Sequence, residues 1–254
     1  MRRIAVVAAS LVFCLLAGLV PSPLHAQWSG DGTMDLGMGF GQMALSQSAI
    51  SGTRAIGEAS GRAFRAGKKR TSQPPKATRQ ANSLTFRAKA SVTRVVNKRF
   101  IDWQSKNHPE LRPELARGIK SGELQGYFRH ILDGYGYQAN NIADVSSAYY
   151  ISLWRIVHGT DPTPRQIAGV RRQTRSFMAE DRRLTGLPDE QKQEICETFA
   201  LHTALALQGY KQLVESGDAD LLRNFRRGLQ ATLAPQGPDL MEMEISDAGF
   251  ATSH

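Results

Sequence analysis

Apolar residues recur at helical spacing from about residue 90 towards the C-terminus. Val92, Val96 and Phe100 are four residues apart, which places them on one side of a helix. Period-2 alternation, typical of strands, is confined to residues 83–87 and 239–245. The pattern predicts an all-α fold, a compact bundle of about six helices. The later helices are defined by Leu111, Leu115 and Ile119; Leu124, Phe128, Ile131 and Leu132; Ile142, Val145, Tyr149, Leu153 and Ile156; Ile167, Val170, Phe177 and Leu184; Ile195, Phe199, Leu205, Leu213 and Val214; and Leu222, Phe225 and Leu229.

Capping residues predict where several helices begin and end. Asn141 is the expected N-cap of one helix, and Thr163 with Gln166 forms a capping box that opens the next. Pro109 is expected to end the first helix and Gly134 the third. The longest predicted helix is apolar nearly all round at its middle, which favours a central position in the bundle.

The N-terminus has the pattern of a secretory signal peptide. Arg2 and Arg3 precede an almost wholly apolar run over residues 4–20, and Ala26 is the expected last residue before cleavage. Pro21 and a second proline nearby interrupt the run before it is long enough for a membrane anchor. We therefore expect residues 1–26 to be removed on export to the periplasm or the medium.

Removal of that segment leaves Cys196 as the only cysteine of the exported protein, so an intramolecular disulfide is excluded. We interpret Cys196 as a small buried hydrophobe, with a nucleophile or an intermolecular bridge as the alternatives. The stability of the exported protein must then come from its core.

The net charge of +9 is concentrated in one segment. Residues 27–90 hold ten basic and three acidic residues, whereas residues 91–254 hold 20 of each. A neutral helical domain lacks the positive field that attracts nucleic acid, so no nucleic-acid partner is expected.

Residues 27–82 are rich in Gly, Ser and Met and predict a disordered linker, followed by a helical domain at 83–236 and a C-terminal tail at 237–254. The linker is interpreted as a solvated tether. The alternative is a weak contact with an anionic membrane surface. The candidate residues for that contact are Arg62, Arg65, Lys68, Lys69 and Arg70.

The sequence shows no catalytic motif. The H-E-x-x-H and C-x-x-C patterns, the nucleophile elbow and the phosphate-binding glycine loops are all absent, so no metal and no cofactor are expected. An envelope hydrolase without a motif stays open, with Glu123, Asp144 or Glu197 as the carboxylates. The pair Glu215 and Ser216 superficially resembles the Glu-Ser pair of lytic transglycosylases, but is interpreted as an ordinary helix end.

One arginine-rich helix and one aromatic helix are the remaining candidates. Arg171, Arg175 and Arg182 are predicted on the side away from the core, as solvated or paired charges, with an anionic ligand as the alternative. Tyr149 and Trp154 are five residues apart, too far round the helix for one narrow stripe. Core packing is the preferred interpretation, but one of them is a candidate for a groove or partner contact, together with Asn141 and Asp144.

Short motifs made mostly of packing and capping residues are spread over the C-terminal part of the chain: Gly134-Tyr135-Gly136, Asn140-Asn141-Ile142-Ala143-Asp144-Val145, Ala148-Tyr149, Trp154, Gly217-Asp218, Asp239-Leu240 and Ser246-Asp247-Ala248-Gly249-Phe250. Together they resemble an exported bacterial family that is known only as a domain of unknown function. The likeness covers roughly residues 90 to 251. It implies a helical exported domain behind a signal peptide and a variable linker, and it supplies no activity.

Export, a neutral domain and the absence of reactive motifs favour a non-enzymatic protein that binds or scaffolds an unidentified envelope or protein partner. Two alternatives remain. One is a hydrolase or toxin acting on the envelope, and the other is membrane association through the basic linker.

Overall fold

The computed structural model describes residues 84–106, 109, 112–233 and 239–252. The predicted all-α fold is confirmed, with eight α-helices rather than about six among these residues. The helices are α1 (Ala90–Gln104), α2 (Arg112–Lys120), α3 (Glu123–Tyr135), α4 (Ile142–His158), α5 (Pro164–Glu180), α6 (Arg182–Thr185), α7 (Asp189–Ser216) and α8 (Ala219–Leu233). They are followed by a 3-10 turn (Leu240–Glu242) and by strands β1 (Met243–Ser246) and β2 (Gly249–Thr252).

Helix α7 is central, as its apolar middle predicted. It packs against α1, α3, α4 and α8, and fourteen of its residues are buried. One apolar cluster joins the middle of α7 to α1, α2 and the start of α3. The larger cluster joins α7 to α4, α5 and the C-terminal residues. The core is therefore built on both sides of one long helix.

Helix α4 is the other strongly buried element. Small residues such as Ala143, Ser147 and Ala148 have no exposed surface. The Ser147 hydroxyl donates to the Ala143 carbonyl at 2.7 Å, which satisfies a polar group that burial would otherwise penalise.

The ends of the helices agree in part with the sequence. The capping box of Thr163 and Gln166 is present at the start of α5. The third helix ends two residues later than a Gly134 cap would allow, because Gly136 takes the left-handed conformation (φ 65°) that closes it. Helix α1 ends at Gln104, before Pro109 is reached.

The C-terminal residues belong to the packed unit, although the sequence placed residues 237–254 in a tail. Strands β1 and β2 form an antiparallel hairpin that packs on α5. Met243, Ile245 and Phe250 are buried in the larger apolar cluster. The alternation over residues 239–245 overlaps β1 in part, but neither strand of the hairpin was predicted.

A side chain of helix α5 binds the backbone of the hairpin. The Gln173 side-chain amide accepts from the Phe250 N–H and donates to the Phe250 carbonyl, both at 2.8 Å. Gly169 permits the close approach, since a Cβ there would lie 2.4 Å from the Asp247 carbonyl oxygen. None of the described helices combines the length and the apolar character that a membrane crossing requires.

Candidate functional site

A buried carboxylate lies where α4 packs against α5. Asp144 is in the first turn of α4, and its side chain has no exposed surface. Asn141 stabilises this turn as predicted, because its side chain accepts from the N–H groups of Ala143 and Asp144 at 3.0 and 3.2 Å.

Two arginines of α5 bind this one carboxylate side-on. Arg171 donates from Nε to Oδ1 at 2.9 Å and from Nη2 to Oδ2 at 2.6 Å. Arg175, one helical turn later, makes the same pair of contacts at 2.9 Å each. The backbone N–H of Gln138 adds a fifth hydrogen bond, to Oδ2 at 2.9 Å. We call Asp144, Arg171 and Arg175 the arginine–aspartate centre.

The interpretation of Arg171 and Arg175 as solvated or paired charges is confirmed, since both are paired. The prediction that they lie on the side away from the core is wrong. Their guanidinium groups return to α4 and pair with Asp144, and their side chains are 26% and 41% exposed. Long arginine side chains reach across a helix surface, so an apolar stripe alone does not determine where their charge lies. Arg182 falls on a separate helix, α6.

Ion pairing determines the protonation state of Asp144. Burial alone would raise the pKa of this carboxyl, but the hydrogen bonds from Arg171, Arg175 and the Gln138 backbone outweigh it. The pKa of Asp144 is therefore lowered, and the group stays ionised. A carboxyl that acts as a general acid needs a raised pKa, so that it still carries its proton near neutral pH.

Tyr137 completes one side of the centre. The Arg171 guanidinium lies over its ring, 4.7 Å from the ring centroid, and the Tyr137 hydroxyl donates to the Ile167 carbonyl at 2.8 Å. Burial raises the pKa of Tyr137, so the phenol keeps its proton and donates. Arg171 is thus held from two directions.

The aromatic candidates lie further along α4 and pack inside the fold. Tyr149 stacks on Phe199 with ring centroids 4.2 Å apart and rings 7° from parallel. Trp154 is 8% exposed, donates from Nε1 to the Met243 carbonyl at 2.8 Å, and stacks on His158. The indole thus links α4 to the hairpin.

Of the four candidate groove residues, the structure brings Asn141 and Asp144 together in one turn and leaves Tyr149 and Trp154 in separate contacts. All four make contacts within the fold, and a partner at these positions stays a prediction. The candidate linker residues Arg62, Arg65, Lys68, Lys69 and Arg70 lie outside the described residues.

A second buried polar cluster, which the sequence did not reveal, joins α1 to α7. The Gln193 side chain accepts from the Lys89 N–H at 2.8 Å and donates to the Lys89 carbonyl at 2.9 Å. The same amide donates to Glu197, which also accepts from the Thr93 hydroxyl at 2.7 Å. The one signal in the sequence was the four-residue spacing of Gln193 and Glu197, which is common in helices.

Burial has the same effect on the pKa of two acidic groups of α7. It raises the pKa of Glu197, and the hydrogen bonds from Gln193 and Thr93 compensate only in part. It also raises the pKa of Cys196 well above the ordinary value, so this buried thiol stays protonated and unreactive.

The remaining carboxylates considered from the sequence are at helix ends. Glu123 is exposed in the first turn of α3. Glu215 pairs with Lys211 at 3.8 Å, and the Ser216 hydroxyl donates to the Leu213 carbonyl at 2.8 Å. Within the part of the chain that the structure describes, no group of three His, Cys, Asp or Glu residues is placed to hold a metal ion.

The chain belongs to a family described as "Family of unknown function (DUF6683)", whose profile matches residues 5–252. The predicted relationship to a domain of unknown function is therefore confirmed. No curated protein and no solved structure matches the chain.

Proposed function

We propose that this protein is exported, has no enzymatic activity, and binds or scaffolds a partner in the periplasm or envelope. The observation that carries the proposal is the arginine–aspartate centre. Asp144 is the most deeply buried of the carboxylates considered for catalysis, and two arginines hold it in its ionised form. Such a carboxylate ties two helices together and is unsuited to proton transfer.

Export is tested first, by expressing the full chain in a bacterial host with fractionation and intact-mass spectrometry. The pattern of residues 1–26 leads us to expect a mature protein that begins at Gln27 and is found outside the cytoplasm. A cytoplasmic protein of full-length mass would contradict the proposal.

Partner binding is tested by site-specific photo-crosslinking in the native envelope. The cross-linker is placed at the large exposed apolar residues Val95, Tyr127, Val214 and Met241, which are 45%, 37%, 50% and 54% exposed. A partner that covered any of these side chains would gain from removing apolar surface from water. We expect a discrete adduct from at least one of them and none from a control position at exposed Glu244. Adducts from no position would contradict the proposal.

An envelope hydrolase is the second candidate, and the raised pKa of Glu197 favours it. The Glu197→Gln variant should leave cell-wall turnover unchanged if our proposal is correct. If the wild type turns over cell-wall glycan and the Glu197→Gln variant does not, the protein is a hydrolase instead.

Membrane-surface association is the third candidate, and the excess of ten basic over three acidic residues in residues 27–90 favours it. Vesicles with and without anionic lipid, at low and high salt, test it on the mature protein. This contact would be established by three results together. Binding should need anionic lipid, it should fall as the salt concentration rises, and it should be lost when the five candidate linker residues are changed to Gln.

A further inference from the structure

The arginine–aspartate centre carries one positive charge in excess. Asp144 contributes one negative charge, and Arg171 and Arg175 contribute two positive charges. No other carboxylate among the described residues pairs with either arginine. A buried carboxylate with one bidentate arginine would be neutral, so the second arginine is more than charge balance requires.

Both guanidinium groups keep donors that Asp144 does not use. A guanidinium has five N–H bonds, and the side-on fork uses one at Nε and one at Nη2. The Nη1 groups of Arg171 and Arg175 meet no acceptor in the described part of the chain, and both side chains are partly exposed. Both partly exposed side chains thus keep donors that no described residue uses.

The fold also holds these donors in position. Asp144 is immobile because it is buried and accepts five hydrogen bonds, and Arg171 lies against the Tyr137 ring. The two arginines are one helical turn apart on α5, so their guanidinium groups meet at the same carboxylate. Preorganised donors bind an anion without the loss of side-chain freedom that ordinary surface arginines incur.

We propose that the Nη1 groups of Arg171 and Arg175 bind an oxyanion, either a carboxylate or a phosphate. Arginine forks match the geometry of both groups. The inference rests on the proposed binding function and gives the chemistry of the ligand: an acidic group, carried by the partner or free in the envelope, docks on α5 and completes the charge of the centre.

The test is a titration of the mature protein with inorganic phosphate and with acetate, followed by the arginine Nε–H signals in nitrogen-15 NMR spectra. We expect saturable shifts at Arg171 and Arg175 and none at Arg165, an exposed arginine in the first turn of the same helix. Arg175→Gln should bind at least about tenfold more weakly, because it removes charge-assisted donors. Arg165→Gln should bind as the wild type does.

The wild-type titration decides the matter even if Arg175→Gln does not fold. Absence of saturable shifts with either anion, or shifts of equal size at Arg165, would overturn the inference. Equal affinity of a folded Arg175→Gln variant would do so as well. If photo-crosslinks form but no anion binds, only this inference fails; if anions bind but no photo-crosslinks form, only the proposed scaffold fails.

Discussion

At the scale of single residues, two buried carboxyls of this protein differ in their pKa because their partners differ. Asp144 faces two cations, which lower its pKa despite burial. Glu197 faces only the neutral donors of Gln193 and Thr93, which do not offset its burial. The charge of the partner, more than the depth of burial, determines the sign of the shift.

Replacing Glu197 with Gln tests this explanation. A carboxyl with a raised pKa in the folded state stabilises the fold at low pH and loses that contribution as the pH rises through the folded value. Gln cannot ionise, and its amide oxygen still accepts from both neighbours. Relative to the wild type, the free energy of unfolding of Glu197→Gln should therefore rise from about pH 4 to pH 7.

Urea unfolding at several pH values measures this difference, with Glu123→Gln as the control at an exposed position. The control should show no such trend. If the difference in free energy of unfolding between Glu197→Gln and the wild type is the same at pH 4 and pH 7, ionisation of Glu197 is not coupled to folding.

At the scale of elements, the sequence predicted two N-terminal caps correctly, but it misplaced two helix ends, at Gly134 and Pro109, and missed the contacts between distant helices. The caps at Asn141 and Thr163 were predicted because a cap is recognised from three or four neighbouring residues. The directions of Arg171 and Arg175 were missed because their partner, Asp144, is 27 and 31 residues away. Sequence spacing contains no information about which helix lies opposite.

The contact of the hairpin with α5 gives an element-scale prediction at Gly169. Its replacement by Ala should lower the free energy of unfolding by about 1–3 kcal/mol, because the new Cβ would meet the Asp247 backbone at 2.4 Å. Gly228 is also inside a helix, but a Cβ at that position would have no neighbouring atom within 4 Å. Gly228→Ala should therefore raise the free energy of unfolding by about 0.5–1 kcal/mol.

Thermal or urea unfolding of both variants provides the comparison. Because the same substitution is made in both helices, helix propensity cancels and packing against the hairpin remains. Stabilisation of both variants would show that the hairpin does not rest on α5 as described.

At the scale of the whole molecule, the C-terminal hairpin is part of the core rather than an appendage. Leu240, Met243, Ile245 and Phe250 are all buried in the larger apolar cluster. The Trp154 indole and the side chains of Gln166 and Gln173 bind the hairpin backbone. The sequence analysis placed residues 237–254 in a tail, whereas the apolar residues of this segment are the ones that the helices bury.

Truncation after residue 238 should consequently remove cooperative unfolding. Burial of one large apolar side chain contributes about 1.5–3 kcal/mol. Four such side chains together approach the total stability of a domain, about 5–15 kcal/mol. In calorimetry, the mature protein truncated after residue 238 should show no unfolding transition, or one at a much lower temperature. Removal of residues 253–254 alone should leave the transition unchanged. An unchanged transition after the long truncation would place the hairpin outside the cooperative unit.

The most direct test of the account is the pKa of Asp144 itself, from the carbon-13 shift of its carboxyl group as the pH is lowered. We expect a value below the ordinary 3.8, because two arginines and one backbone N–H hold the carboxylate ionised. Arg175→Gln should move the value upwards, since one of the two cations is lost. A pKa at or above 3.8 in the wild type would contradict the arginine–aspartate centre and reopen Asp144 as a proton donor.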